Sequence, residues 1–230
     1  MKKKLVIFGT GEIANITFEQ FKNYSDYEVV SFAVDKKYIK GENFNNLPLI
    51  PFEEIENKYD PKNYFMHVAL SYREFNKLRE KKYISAKQKG FQLASFVSEQ
   101  SNLSKNIRIG ENCFILENQT VQTGVVIEDN VVMWSSNHIG HETHIGKHTY
   151  ISSHVVISGH CKIGERCFFG VNSAVADFTS IGSDSFITMG SNINTNLKEG
   201  STTINSGTKI LNDKDPLSIR IKKKYFKLSE

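Results

Sequence analysis

Residues 139–170 read IGHETHIGKHTYISSHVVISGHCKIGERCFFG. A large apolar residue returns at every sixth position, at Ile139, Ile145, Ile151, Ile157, Ile163 and Phe169. The beat runs back through Met133, Ile127, Val121, Ile115 and Ile109 to Leu103, and forward through Val175, Ile181 and Ile187 to Ile193. An amphipathic helix repeats at about 3.6 and a half-buried strand at about 2, so neither holds this period. A stacked solenoid does, because each repeat buries its apolar face on its neighbours. Two positions earlier in the repeat sit mostly small or β-branched residues, among them Cys113, Val125, Val131, Thr143, Thr149, Val155, Cys161 and Cys167. The pattern predicts a three-sided parallel β-helix, with one hexapeptide per face and three per coil.

Residues 1–97 follow a different grammar. Lys3–Gly9 reads as a strand, Glu12–Asn23 as a helix and Tyr27–Val34 as a second strand. A short helix is expected over Phe52–Asn57, a strand over Tyr64–Leu70, a basic helix over Glu74–Lys89 stopped by Gly90, and a last strand over Gln92–Phe96. Alternating strands and helices imply a small parallel sheet. The chain therefore divides into a mixed α/β domain at 1–97, a β-solenoid at 98–210 and a basic tail at 211–230. The stretch Ser98–Asn106 is expected to bridge into the first coil, and Thr202–Ile210 to form a partial last one.

The 230 residues carry a formal charge of +4, spread along the chain, which does not make the concentrated basic face of a nucleic-acid binder. No stretch approaches the ~20 apolar residues of a membrane span. The apolar run after Met1 is too short for a signal peptide, so a cytoplasmic protein is expected. Cys113, Cys161 and Cys167 all fall in the small inward slot, and an odd count at buried positions argues against a disulfide framework.

Two constellations carry chemistry. Gly9-Thr10-Gly11-Glu12-Ile13-Ala14 follows a strand and opens a helix, in the form G-x-G-x-x-A, with Asp35 closing the next strand. Close backbone approach and a helix N-terminus suit an anion. About half a redox dinucleotide fold is present, which favours a nucleotide or nucleotide-sugar. Asp35 and the loop Ser71-Tyr72-Arg73 fall at carboxyl ends of strands, where open α/β sheets bind ligands.

The second is a histidine cluster. Six of the seven histidines lie between His138 and His160. His141 lies off the inward slots and is followed by Glu142, a carboxylate able to orient an imidazole. Gly159 occupies the same place one coil along, where its N–H could meet a developing oxyanion. His138 is a second candidate base. Hexapeptide β-helices that resemble the γ class of carbonic anhydrases carry zinc on H-x4-H with a third histidine well upstream; here no two histidines stand five apart and none lies between His67 and His138, so no metal site is expected.

With these residues placed, the chain resembles the NeuD/PglD family of bacterial sugar O- and N-acetyltransferases. The segment Ser136–Gly146 is similar to the family's active-site coil. The resemblance implies a small Rossmann-like N-terminal domain followed by a left-handed parallel β-helix, a homotrimer with active sites between subunits, and acetyl-CoA as co-substrate. It assigns His141 as general base, Glu142 as the acid that raises its basicity, and the Gly159 N–H as a donor to the thioester. Gly170, Val171 and Gly190 match positions that bind coenzyme A. Gly9, Thr10, Gly11, Glu12, Asp35, Ser71, Tyr72, Arg73 and His138 are expected to hold the nucleotide-sugar. Tyr150 stands where many members have a second histidine touching acyl donor or acceptor, and its phenol can still form hydrogen bonds. The activity implied is transfer of acetyl to the amine of a nucleotide-linked deoxysugar. O-acetylation of a sugar hydroxyl and a non-catalytic scaffold are the alternatives. The basic run Lys222-Lys223-Lys224 is read as solvated, with pairing to coenzyme A phosphates as its alternative.

Overall fold

The computed structural model describes residues 2–205 together with 216, 217, 219 and 220. Residues 96–193 wind into a triangular prism of two-residue strands. One wall stacks Phe96–Val97, Phe114–Ile115, Val132–Met133, Tyr150–Ile151, Phe168–Phe169 and Phe186–Ile187. The second runs from Asn102–Leu103 through His138–Ile139 to Asn192–Ile193, and the third from Arg108–Ile109 through His144–Ile145 to Ser180–Ile181. All pairings are parallel and join residues eighteen apart, such as Ile139 with Ile157. The every-sixth residues turn inward, and from Ile115 to Ile193 all are buried in one core with Cys113, Cys161 and Cys167. The winding starts one strand earlier than Ser98, because Phe96–Val97 already pairs with the coil. At the other end, among the described residues, only isolated bridges, Ile181 with Leu197 and Phe186 with Thr202, continue it.

The corners turn through left-handed residues. Glu142 (φ 55°), His148 (63°), His154 (59°) and His160 (55°) are four such corners in succession. Much of the histidine cluster is thus corner chemistry, since His and Asn are enriched among non-glycine residues at positive φ.

The N-terminal domain is a six-stranded sheet. Its elements are β1 (Lys3–Phe8), α1 (Glu12–Tyr24), β2 (Tyr27–Val34), β3 (Asn43–Phe44), β4 (Leu47–Pro51), α2 (Ile55–Lys58), β5 (Phe65–Val68), α3 (Lys77–Gln88) and β6 (Gln92–Leu93). The strand order is β3-β4-β2-β1-β5-β6, and every pairing is parallel except β3 with β4. The chain moves outward from β1 in one direction, then restarts at β5 on the other side. A crevice opens at such a reversal, outside the carboxyl ends of β1 and β5. The β3–β4 hairpin was not foreseen from sequence. It turns on Asn45 (φ 48°) and Asn46 (61°), the two positive angles of a tight two-residue hairpin loop.

The two domains meet on the first wall. Phe96, Phe114, Val132 and Tyr150 join a buried cluster with Phe21 of α1 and Leu5 and Ile7 of β1. Beside it runs a polar seam. Asn112 accepts the Val68 N–H (2.7 Å) and donates to the Asn130 side chain, whose Nδ2 meets His148 Nδ1 at 2.8 Å. Arg79 of α3 is fully buried and donates to the Asn76 side chain and to the carbonyls of Asn130 and His148. Burial of its cation draws its pKa down to about 10. These bonds register α3 on particular rungs of the prism.

Candidate active site

The link from His138–Ile139 to His144–Ile145 crosses the corner between the second and third walls. This corner lies opposite the wall that carries the N-terminal domain. His141 sits on it, exposed. Its ring lies flat over the next coil. A Cβ added to Gly159 would fall 2.6 Å from Cε1 and 3.0 Å from both ring nitrogens, so only glycine leaves the imidazole its seat.

The contacts of that ring differ from those expected. Glu142 follows His141, yet its carboxylate folds back over Gly124, where an added Cβ would lie 2.0 Å from Oε1. The group against the imidazole is the carboxamide of Gln122, whose Oε1 is 3.1 Å from Nδ1 and also accepts the His141 backbone N–H at 2.9 Å. The Gly159 N–H is engaged too. It donates to Asp177 Oδ1 at 2.9 Å, so it does not point at an approaching thioester. A second imidazole completes the corner, with His160 edge-on to His141 (centroids 4.8 Å) and stacked on Phe178 (4.8 Å, 4° between planes).

His138 projects from the second wall, half-buried. Beyond it Val156, Ser158, Ala174, Ala176, Asn192 and Asn194 line a shallow groove of small side chains. Gly170, Val171 and Gly190 lie on the far edge of that wall, at the corner with the first. Tyr150 is elsewhere. As an outward residue of the first wall it is only 4 % exposed, held by Trp134 Nε1, stacked on Phe168 (5.5 Å) and edge-on to Tyr72 (5.1 Å). It is a residue of the domain junction, packed against the loop expected to hold the nucleotide-sugar. Burial pushes its phenol up to about 12.

The cysteines offer no nucleophile. Burial pushes the Cys113 thiol up to about 12 and that of Cys167 to about 11, well away from thiolate chemistry. Among the described residues no three His, Cys, Asp or Glu side chains gather as a metal would require, and no helix is long and apolar enough to cross a membrane.

The crevice of the N-terminal domain assembles the other expected residues. Gly9 has φ 130°, and a Cβ there would strike the Ala69 carbonyl at 2.6 Å. Gly11 caps α1, with open space where its side chain would be, and Glu12 starts the helix. Thr10, Asp35 and the loop Ser71-Tyr72-Arg73 follow β1, β2 and β5, three adjacent strands. Tyr72 is half exposed. The loop continues through three consecutive positive φ angles, Glu74 (52°), Phe75 (54°) and Asn76 (66°). That is costly backbone held by packing of the kind found at binding loops. Lys82 of α3 reaches over the rings of Phe8 and Phe52 (5.3 Å each) to the Asp35 carboxylate. It escaped the sequence reading because nothing separates one lysine of a basic helix from the next. The tail Lys222-Lys223-Lys224 lies outside the described residues.

The family model for the hexapeptide repeat of succinyl-transferase matches residues 106–133 and 161–194. No curated protein sequence matches the chain. Among solved structures it is similar to the acetyltransferase domain of PglB from Neisseria gonorrhoeae, with a TM-score of 0.78, 23 % identity and coverage of 91 % of this chain and 100 % of that one. The same domain in complex with acetyl coenzyme A matches at 0.78 with 22 % identity, covering 92 % and 100 %. A histidine variant of perosamine N-acetyltransferase from Caulobacter crescentus, in complex with CoA and GDP-perosamine, matches at 0.78 with 20 % identity, covering 91 % and 97 %. The chain shares the fold of these proteins, a small α/β domain on a left-handed β-helix of hexapeptide repeats.

Proposed function

We propose that the protein is an acetyl-CoA-dependent N-acetyltransferase acting on a nucleotide-linked amino-deoxysugar, working as a homotrimer with active sites between subunits. The observation that carries this reading is the seat of His141, an exposed imidazole laid on a glycine beside a groove of small side chains. The similar proteins add the ligand classes, acetyl coenzyme A for one and CoA with GDP-perosamine for another. In this reading the pantetheine arm lies along the groove toward Gly170, Val171 and Gly190. The nucleotide lies in the crevice of Gly9–Glu12, where the helix N-terminus and the Lys82 ammonium favour its phosphates.

The same layout supports a trimer. The crevice and His141 belong to opposite sides of one protomer, so an acceptor held in the first meets the imidazole of a neighbour. The amine nitrogen attacks the thioester carbonyl carbon as the C–S bond breaks. His141 takes a proton from the nitrogen and returns it to the departing thiolate, giving the amide and free coenzyme A. Alignment suffices without an acyl-enzyme, since an amine attacks a thioester directly.

A thiol-release assay with acetyl-CoA tests this against nucleotide-linked sugars bearing an amine or only hydroxyls. Release dependent on the amine is expected, and His141→Ala should lower turnover by about a hundredfold or more with the fold intact. Release with hydroxyl acceptors alone would reassign the product as an ester. Silence across the panel would overturn the reading.

A further inference from the structure

We propose that Gln122 is the positioning residue of this site, fixing His141 in the tautomer protonated on Nδ1 so that Nε2 carries the basic lone pair. The inference rests on His141 being the base of the proposed reaction. It begins from a group whose role is unambiguous. A backbone N–H only donates, so the end of the Gln122 carboxamide that meets the His141 N–H at 2.9 Å is its oxygen. The same oxygen stands 3.1 Å from Nδ1. An amide oxygen only accepts, so Nδ1 holds the proton. In a neutral imidazole Nε2 is then the unprotonated nitrogen.

The ring has little freedom to escape this arrangement. Its underside rests on the Gly159 backbone, and His160 packs against it nearly at right angles. One oxygen grips both main chain and side chain of His141, so a shift of the ring relative to its own backbone breaks a bond. The carboxylate that sequence adjacency suggested for this task lies over Gly124 instead. A neutral acceptor also suits the chemistry. Asp177 already brings a negative charge to the Gly159 amide, and a second anion beside the imidazole would oppose the charge that builds on the carbonyl oxygen during attack.

Three measurements on the full chain test the assignment. Long-range 1H–15N correlation spectra at a pH where His141 is neutral should show it protonated on Nδ1 in the unmodified protein. Gln122→Met, similar in size but without the acceptor, should mix the tautomers. It should lower kcat about tenfold and leave KM for acetyl-CoA and acceptor within about twofold. Gln122→Glu keeps the acceptor and adds charge. It should retain the Nδ1–H tautomer, hold kcat within about threefold, and move the acid limb of the kcat/KM profile up by about one pH unit. An Nε2–H tautomer in the unmodified protein, or unchanged tautomer and kcat in folded Gln122→Met, would overturn the proposal. The spectra need no substrate, so they judge Gln122 even if the protein proved not to be a transferase.

Discussion

At the scale of single residues, the site depends on a missing side chain as much as on those present. Gly159 is not in the left-handed region, so its backbone accepts alanine, but the added methyl would enter the His141 ring. Gly159→Ala is therefore expected to leave the melting temperature within a few degrees and reduce kcat by about tenfold or more. Circular dichroism melts alongside steady-state rates check this. The imidazole and its glycine were legible because both follow from the repeat, being equivalent positions one coil apart. Gln122 and Asp177 were not. They are outward polar residues whose sequence signature matches that of any solvated turn, and only coordinates show which neighbour each reaches. Glu142 misled for a related reason. It sits at a left-handed corner (φ 55°), which turns adjacent side chains apart.

At the scale of elements, the coil is a column of isoleucines with little room to relax. Ile151 is fully buried in its centre, and Ile151→Ala is expected to destabilise by about 3–4 kcal/mol, read from urea unfolding. The junction between coil and sheet adds a polar seam to its apolar cluster, and it responds to pH. Burial draws His67 down to about 4, and burial with Arg79, Arg166 and Lys147 does the same for His148. Both imidazoles are neutral when folded and bind protons once unfolded. Stability should thus be full above about pH 6.5 and fall as the pH drops toward 4, by up to about 3 kcal/mol per imidazole. Comparing urea midpoints at pH 7.5 and pH 5 tests this, and His148→Gln should shrink the difference. The six-step beat announced the prism and its inward cysteines. The junction went unread because Asn112, Asn130 and His148 look like ordinary corner residues until α3 is seen to dock on them.

For the whole molecule, the separation of crevice and imidazole makes a claim that mixing can test. Gly11 has room for a side chain, so Gly11→Phe should fold while filling the approach to α1. That variant and His141→Ala should each be nearly inactive alone. Refolded together in equal amounts, they should recover about one quarter of the normal rate if, as proposed, each site draws its two halves independently from different subunits. No recovery, with mixed trimers present, would mean that each site is built within one protomer.

Gln122, His141, Gly159 and Asp177 come from four successive storeys of the prism. Lengthening or shortening the chain between any two of them by anything but a whole circuit would slide one storey's chemistry sideways off the next. From Ile193 to Asn205 isolated bridges replace that stacking, so the lock is looser there. Changes of length in proteins built on this plan should accumulate at the far end of the tower, while the floors bearing the imidazole keep their count.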